Sequence, residues 1–176
     1  IGPMAGTLAD MWLTAQRISV VAGGHNGHPG LTGGHELPEA CKPKTLIWIR
    51  PLGWETLDDA SAEAFDEFLG QLRDAGIHIL DATNAAVAKL ETMAGRSDAI
   101  GTDICFYEAR WPYYAYIDAW GREKAIGETG FSRLSHGIEM TPEDYRKALS
   151  ERDAFRVKAN EVAAGTDGFI TLDKAT

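Results

Sequence analysis

Three groups of residues in this chain have side chains capable of chemistry, and their spacing limits what each could do. The stretch "GGHNGHPGLTGGH" (23–35) brings His25, His28 and His35 together, and imidazole is the commonest metal ligand. No H-E-x-x-H is present, because His35-Glu36 runs on into Leu37-Pro38, and loose glycines cannot orient ligands rigidly. The stretch therefore reads as a surface loop with no metal. It is a poor phosphate cradle too, because it follows a helical pattern and lacks both G-x-G-x-x-G and G-K-[ST]. The second group is the two thiols. Cys41 sits in a Pro-flanked loop, and Cys105 lies in a helical, aromatic-rich stretch where a free cysteine is expected to be a small buried hydrophobe. No G-x-S-x-G elbow offers a serine nucleophile. The carboxylates Asp58, Asp59, Glu63, Asp66 and Glu67 form the third group, and the solvated face of a helix accounts for them.

The segment "CFYEARWPYYAYIDAW" (105–120) is of a different kind. Phe106, Tyr107, Trp111, Tyr113, Tyr114, Tyr116 and Trp120 crowd into one element. One reading is core plus a packed interface. The other is the wall of an apolar pocket for an acyl or aryl group, with tyrosine hydroxyls and Glu108 as polar handles. Tyr107, Glu108 and Trp111 are the pocket candidates on that reading, and none is assigned a catalytic role.

The elements that would position these residues are legible from periodicity. Thr7 and Asp10 form a T-x-x-D helix start. Leu8, Met11, Trp12, Ala15 and Ile18 then recur at helical spacing up to Gly23-Gly24. "TLIWIR" (45–50) is a short continuous apolar run, suited to a strand buried on both faces. An amphipathic helix over 58–75 carries Phe65, Phe68, Leu69 and Leu72 on one stripe. Gly76 and "IHIL" (77–80) follow, which completes a βαβ unit with a parallel pair. Helices are expected at 84–93 and 100–120, the latter kinked or split at Pro112, and a weakly patterned one at 123–134. "TPED" (141–144) starts a long helix with Thr141 as N-cap and Pro142 at the first helical position. "FITL" (169–172) is a third strand. The fold class is α/β. Three short strands are few for this much helix, and buried strands need neighbours on both sides, so further strands are expected in a longer parent.

Composition narrows the class of function. The chain has 176 residues, 44% of them hydrophobic, and a net charge of −9. That length suits one domain or a large piece of one. The acidic balance disfavours nucleic acid and a polybasic membrane contact as partners. Two cysteines make no disulfide framework, and a reducing, cytoplasmic setting is the default. No run is long enough to cross a bilayer.

Several stretches, in order, carry a resemblance. "IGPMAGTLADM" (1–11) resembles the Asp-x-x-Gly-Pro-Met-Ala-Arg-Thr/Ser-Val-x-Asp stretch of the amidase signature family, matching at Gly2-Pro3-Met4-Ala5, Thr7 and Asp10. Gly6 stands where the family usually has Arg. "KTLIWIRPLGW" resembles the strand that restarts the sheet after the signature. "FDEFLGQLRDAGIHIL" resembles the family's helix ending in a Leu-x-x-x-Gly turn. "TPEDYRKALSERDAFRVKANEVAAGTDGFITL" resembles its late helix bearing Tyr and Arg, although the chain has Thr171-Leu172 where the family often continues Thr-Pro.

The resemblance implies a mixed sheet flanked by helices, and hydrolysis or transfer of an amide acyl group by a Ser–Ser–Lys triad with an oxyanion hole. In the family's chain order all three triad residues precede Gly2-Pro3, so none maps onto this sequence. The expectation is therefore that residues 1–176 are the C-terminal portion of a single amidase domain, inactive alone and poorly stable alone. The implied partner is a small-molecule amide, with no cofactor, and a homo-oligomer stays open. A glutamyl-tRNA amidotransferase-like subunit fits less well. That branch carries Asn-x-x-Arg-Tyr-Asp-Gly and Arg-Arg-Ile segments where this chain reads "YEARWPYYAYID" and "GFSRLSHG". The alternative from another class is a self-standing α/β binding module that uses the aromatic segment as its ligand surface.

Overall fold

A computed structural model describes residues 4–23, 36–50 and 52–172, without the side chain of residue 123. The chain divides into two compact units, Ile1–Lys42 and Pro43–Thr176. In the first, helix α1 (Leu8–Ala22) starts at Thr7, whose hydroxyl accepts from the Asp10 N–H, and ends at Gly23 with φ +66°. Its start and stop are those the T-x-x-D pattern and the glycine pair predict. His25, His28 and His35 lie outside the described residues.

The second unit holds the sheet. Strand β1 (Thr45–Trp48) is central, with β2 (His78–Leu80) on one side and β3 (Gly168–Ile170) on the other, both parallel to it. The register pairs Leu46 with Ile79 and Gly168, and Ile47 with Leu80 and Phe169. Helix α2 (Asp59–Asp74) connects β1 to β2, as the βαβ pattern requires. Asp58 caps it by accepting from the Ser61 N–H, and the hydrogen bonds from Ser61 hold its carboxyl below the ordinary range. Alternation along β1 sends Trp48 to the α2 side and Ile47 to the other. Trp48, Phe65, Leu69, Ile77 and Ile79 form a buried cluster, with Trp54 and Leu72 against it. Phe68, expected on that stripe, is 44% exposed; its ring centroid lies 6.1 Å from that of Phe65.

A run of helices lies between β2 and β3: α3 (Ala85–Ala94), α4 (Ser97–Trp120), α5 (Arg122–Ala125), α6 (Glu128–Glu139) and α7 (Pro142–Ala163). Helix α4 packs on both α6 and α7. Three expectations are corrected here. Pro112 does not split α4, which runs continuously through it. Proline forfeits one hydrogen bond, to the Glu108 carbonyl, but Pro112 is exposed, and the neighbouring helices hold the rest of the element. Cys105 is exposed, not buried. The expected helix at 123–134 is two elements, because Ile126-Gly127 is extended.

The α4–α6 crossing is close. A Cβ on Gly137 would overlap the Phe106 carbonyl oxygen and come within 3.1 Å of Arg110 Cγ, so only glycine fits there. At the far end of α7, Asp167 fastens β3 to β1. Its carboxylate accepts the Lys44 and Thr45 N–H groups at 2.7 and 2.9 Å, and its own N–H donates to the Thr45 carbonyl at 2.8 Å. Among the described residues, the outer edges of β2 and β3 have no strand partner.

Candidate functional site

Helix α4 places Tyr107, Glu108 and Trp111 on one stripe, since residues three and four apart share a helix face. The sequence candidates are thus brought together, and α7 completes the arrangement. Thr141 and Asp144 form a reciprocal capping box that fixes the first turn of α7. That turn carries Tyr145, whose hydroxyl donates to Glu108 Oε1 at 2.6 Å. Its ring stacks on Tyr107 with centroids 4.2 Å apart and planes 9° from parallel.

Arg110 lies 3.5 Å from the Tyr107 ring centroid, and its Nε–H donates to the Tyr107 carbonyl at 2.7 Å. Two partners at such distances cannot share one face, so Tyr107 is sandwiched between a phenol ring and a guanidinium. Tyr145 and Arg110 were not among the sequence candidates. The capping box was legible and fixes where the first turn of α7 begins, but nothing in the sequence says that this turn faces Glu108.

The hydrogen bond to Glu108 is the main reason the Tyr145 hydroxyl is held above its ordinary pKa, with burial and the charge of Glu108 acting in the same direction. These groups open onto a groove of about 430 Å³, with Tyr114 and Ile138 on its rim. Trp111 is 80% exposed there. Glu108 also borders a second groove of about 390 Å³, walled by Ile100, Ile104 and Phe155, with Cys105 and Arg152 at its edge. A larger hollow of about 980 Å³ lies around Trp120, Arg122 and Phe131. It holds none of the sequence candidates, and its Arg122 is already occupied 3.8 Å over the Phe131 ring.

The groove at Tyr107, Glu108 and Trp111 offers apolar walls and an anionic hydrogen-bond acceptor, and no serine, threonine, cysteine or lysine lines it. Cys41 and Cys105 are free and exposed. The His136 imidazole is engaged with Asp103 at 2.9 Å. The hydroxyl–carboxylate pairs Thr7–Asp10, Ser61–Asp58, Thr83–Asp81 and Thr141–Asp144 all sit at helix starts or a turn. Among the described residues no group of three His, Cys, Asp or Glu side chains could hold a metal ion. No described helix is long and apolar enough to cross a membrane.

No family profile and no characterised protein matches the sequence of the chain. In three dimensions the chain is similar to a crystal structure of an amidase, with a TM-score of 0.56 and 20% identity over 74% of this chain. The match spans 28% of the length of that protein. At this identity the likeness is one of fold: an α/β arrangement shared with an amidase.

Proposed function

We propose that this chain is the C-terminal portion of an amidase domain. The whole protein would hydrolyse a carboxylic amide C–N bond in the cytoplasm, using a Ser–Ser–Lys triad outside these 176 residues. The fold likeness to an amidase over 74% of the chain carries the reading. The edges of β2 and β3, unpaired among the described residues, support it, because a parallel sheet is ordinarily covered and continued by neighbours. The absence of a nucleophile–base pair among the described residues also fits, since acyl transfer by a hydroxyl needs an activating base and oxyanion donors. In this reading the α4–α7 groove lines the substrate pocket. Tyr107 and Trp111 form its apolar wall, and Glu108 accepts a hydrogen bond from the substrate. The chemistry requires no cofactor.

The test is direct. The purified 176-residue chain is given a panel of small and aromatic amides and a serine-directed fluorophosphonate probe. The expected result is no turnover and no label. Turnover that survives active-site controls, or a labelled serine within the chain, overturns the proposal.

A further inference from the structure

We infer that the α4–α7 groove binds an organic ammonium group carried on an aromatic body, with Glu108 as its counter-ion and Trp111 as its platform. The starting point is the state of Glu108. One carboxylate oxygen accepts the Tyr145 hydroxyl at 2.6 Å, and among the described residues no hydrogen bond or ion pair occupies the other. Glu108 is exposed and lines the groove.

The cations that border the two grooves with it, Arg110 and Arg152, each have a partner of their own. Arg110 is bound to the Tyr107 carbonyl and lies on the Tyr107 ring. Arg152 is paired with Asp153 at 2.9 Å. Glu108 is therefore a positioned anion with capacity to spare, because an ionised carboxylate offers about four acceptor sites.

The surroundings select what kind of cation would come. A bare metal ion would need several oxygen ligands, and the groove supplies one carboxylate. An ammonium on an organic body is suited to a carboxylate beside exposed aromatic faces, through charge pairing and cation–π attraction. Trp111 lies three residues from Glu108 on the same helix stripe and is 80% exposed. Tyr107 already holds a guanidinium 3.5 Å from its centroid, so cation binding by an aromatic face is realised within the site itself. The groove, about 430 Å³, lies within the ~300–1,000 Å³ usual for small-molecule sites. The net charge of −9 favours the approach of cations over anions.

Tyr145 is a positioning residue in this account, since it fixes one carboxylate oxygen and leaves the other to the ligand. The inference deepens the pocket assignment made above and rests on the groove being a ligand site. It does not rest on amide hydrolysis. A binding readout without turnover therefore keeps the two failures apart.

The experiment is calorimetric titration of the 176-residue chain with benzylammonium, benzyl alcohol and benzoate at low salt. The expected order is benzylammonium tightest and benzoate weakest, with the benzylammonium advantage shrinking as salt is added. Glu108→Gln should weaken benzylammonium by about two- to fivefold, the range of an exposed ion pair, and weaken benzyl alcohol, which carries no charge, by less. Trp111→Ala, an exposed position that does not threaten folding, should weaken benzylammonium by a similar factor. Equal binding of benzylammonium and benzyl alcohol by the wild-type chain would overturn the inference. So would a Glu108→Gln chain that binds benzylammonium like wild type while its circular dichroism is unchanged.

Discussion

Tyr145 joins two helices through two different forces, a hydrogen bond from its hydroxyl to Glu108 and a stack of its ring on Tyr107. Its raised pKa makes the pair observable. Because the folded value lies above the unfolded one, near 10, the stabilisation is fully present below pH 10. It is lost as pH rises through the folded value. In an ultraviolet titration the Tyr145 phenol should ionise above its ordinary value, and Glu108→Gln should lower that ionisation. A titration unchanged by that substitution would contradict the assignment. Burial predicts another contrast. Leu90 and Leu69 are almost wholly buried, and replacing either with Ala should cost about 2–5 kcal/mol. Trp111→Ala should stay within about 0.5 kcal/mol of wild type. Urea unfolding of the three variants measures the difference.

At the scale of elements, close approach and capping decide which substitutions matter. Gly137→Ala should destabilise by about 1–3 kcal/mol, because the added methyl meets backbone of α4 at Phe106. Gly101→Ala has open space around it and should stabilise α4 by about 0.5–1 kcal/mol. If both glycines responded alike in urea melts, the crossing would not be as close as described. Asp167 ties β3 to β1, and its carboxyl is held below the ordinary range chiefly by the Thr45 and Lys44 N–H groups. Its contribution is present above the unfolded value of ~3.9 and disappears as pH falls through the folded one. Wild type should therefore lose more stability between pH 6 and pH 3 than Asp167→Asn, whose side chain does not titrate. Much at this scale was legible in the sequence, because local signals fix it. The apolar run of β1, the stripe of α2, Gly76 and the Thr141–Asp144 box all act within a few residues. What was not legible depends on partners distant in sequence. The Tyr145–Glu108 bond spans 37 positions, and the exposure of Cys105 depends on how α6 and α7 dock on α4. The split at Pro112 did not occur for the same reason, since tertiary packing overrides a local breaker. The pocket candidates Tyr107, Glu108 and Trp111 were found as a composition anomaly, whereas their partners Tyr145 and Arg110 required the packed helices.

For the molecule as a whole, the sheet carries the argument. Three parallel strands present two unpaired edges among the described residues, and Phe169 on β3 and Trp111 on α4 are exposed. On the proposal that these strands continue into a larger sheet, the isolated chain should melt broadly with a midpoint below about 45 °C, the lower end for mesophilic domains. A sharp cooperative transition at high temperature, monitored by circular dichroism on the monomer, would count against its being part of a larger domain. The central claim, that these residues complete an amidase whose nucleophile lies upstream, is tested most directly by reading the coding DNA before Ile1. The account predicts an open frame that continues into a Gly/Ser-rich segment with two serines and an earlier lysine. A stop codon or a start codon immediately before Ile1 would contradict it.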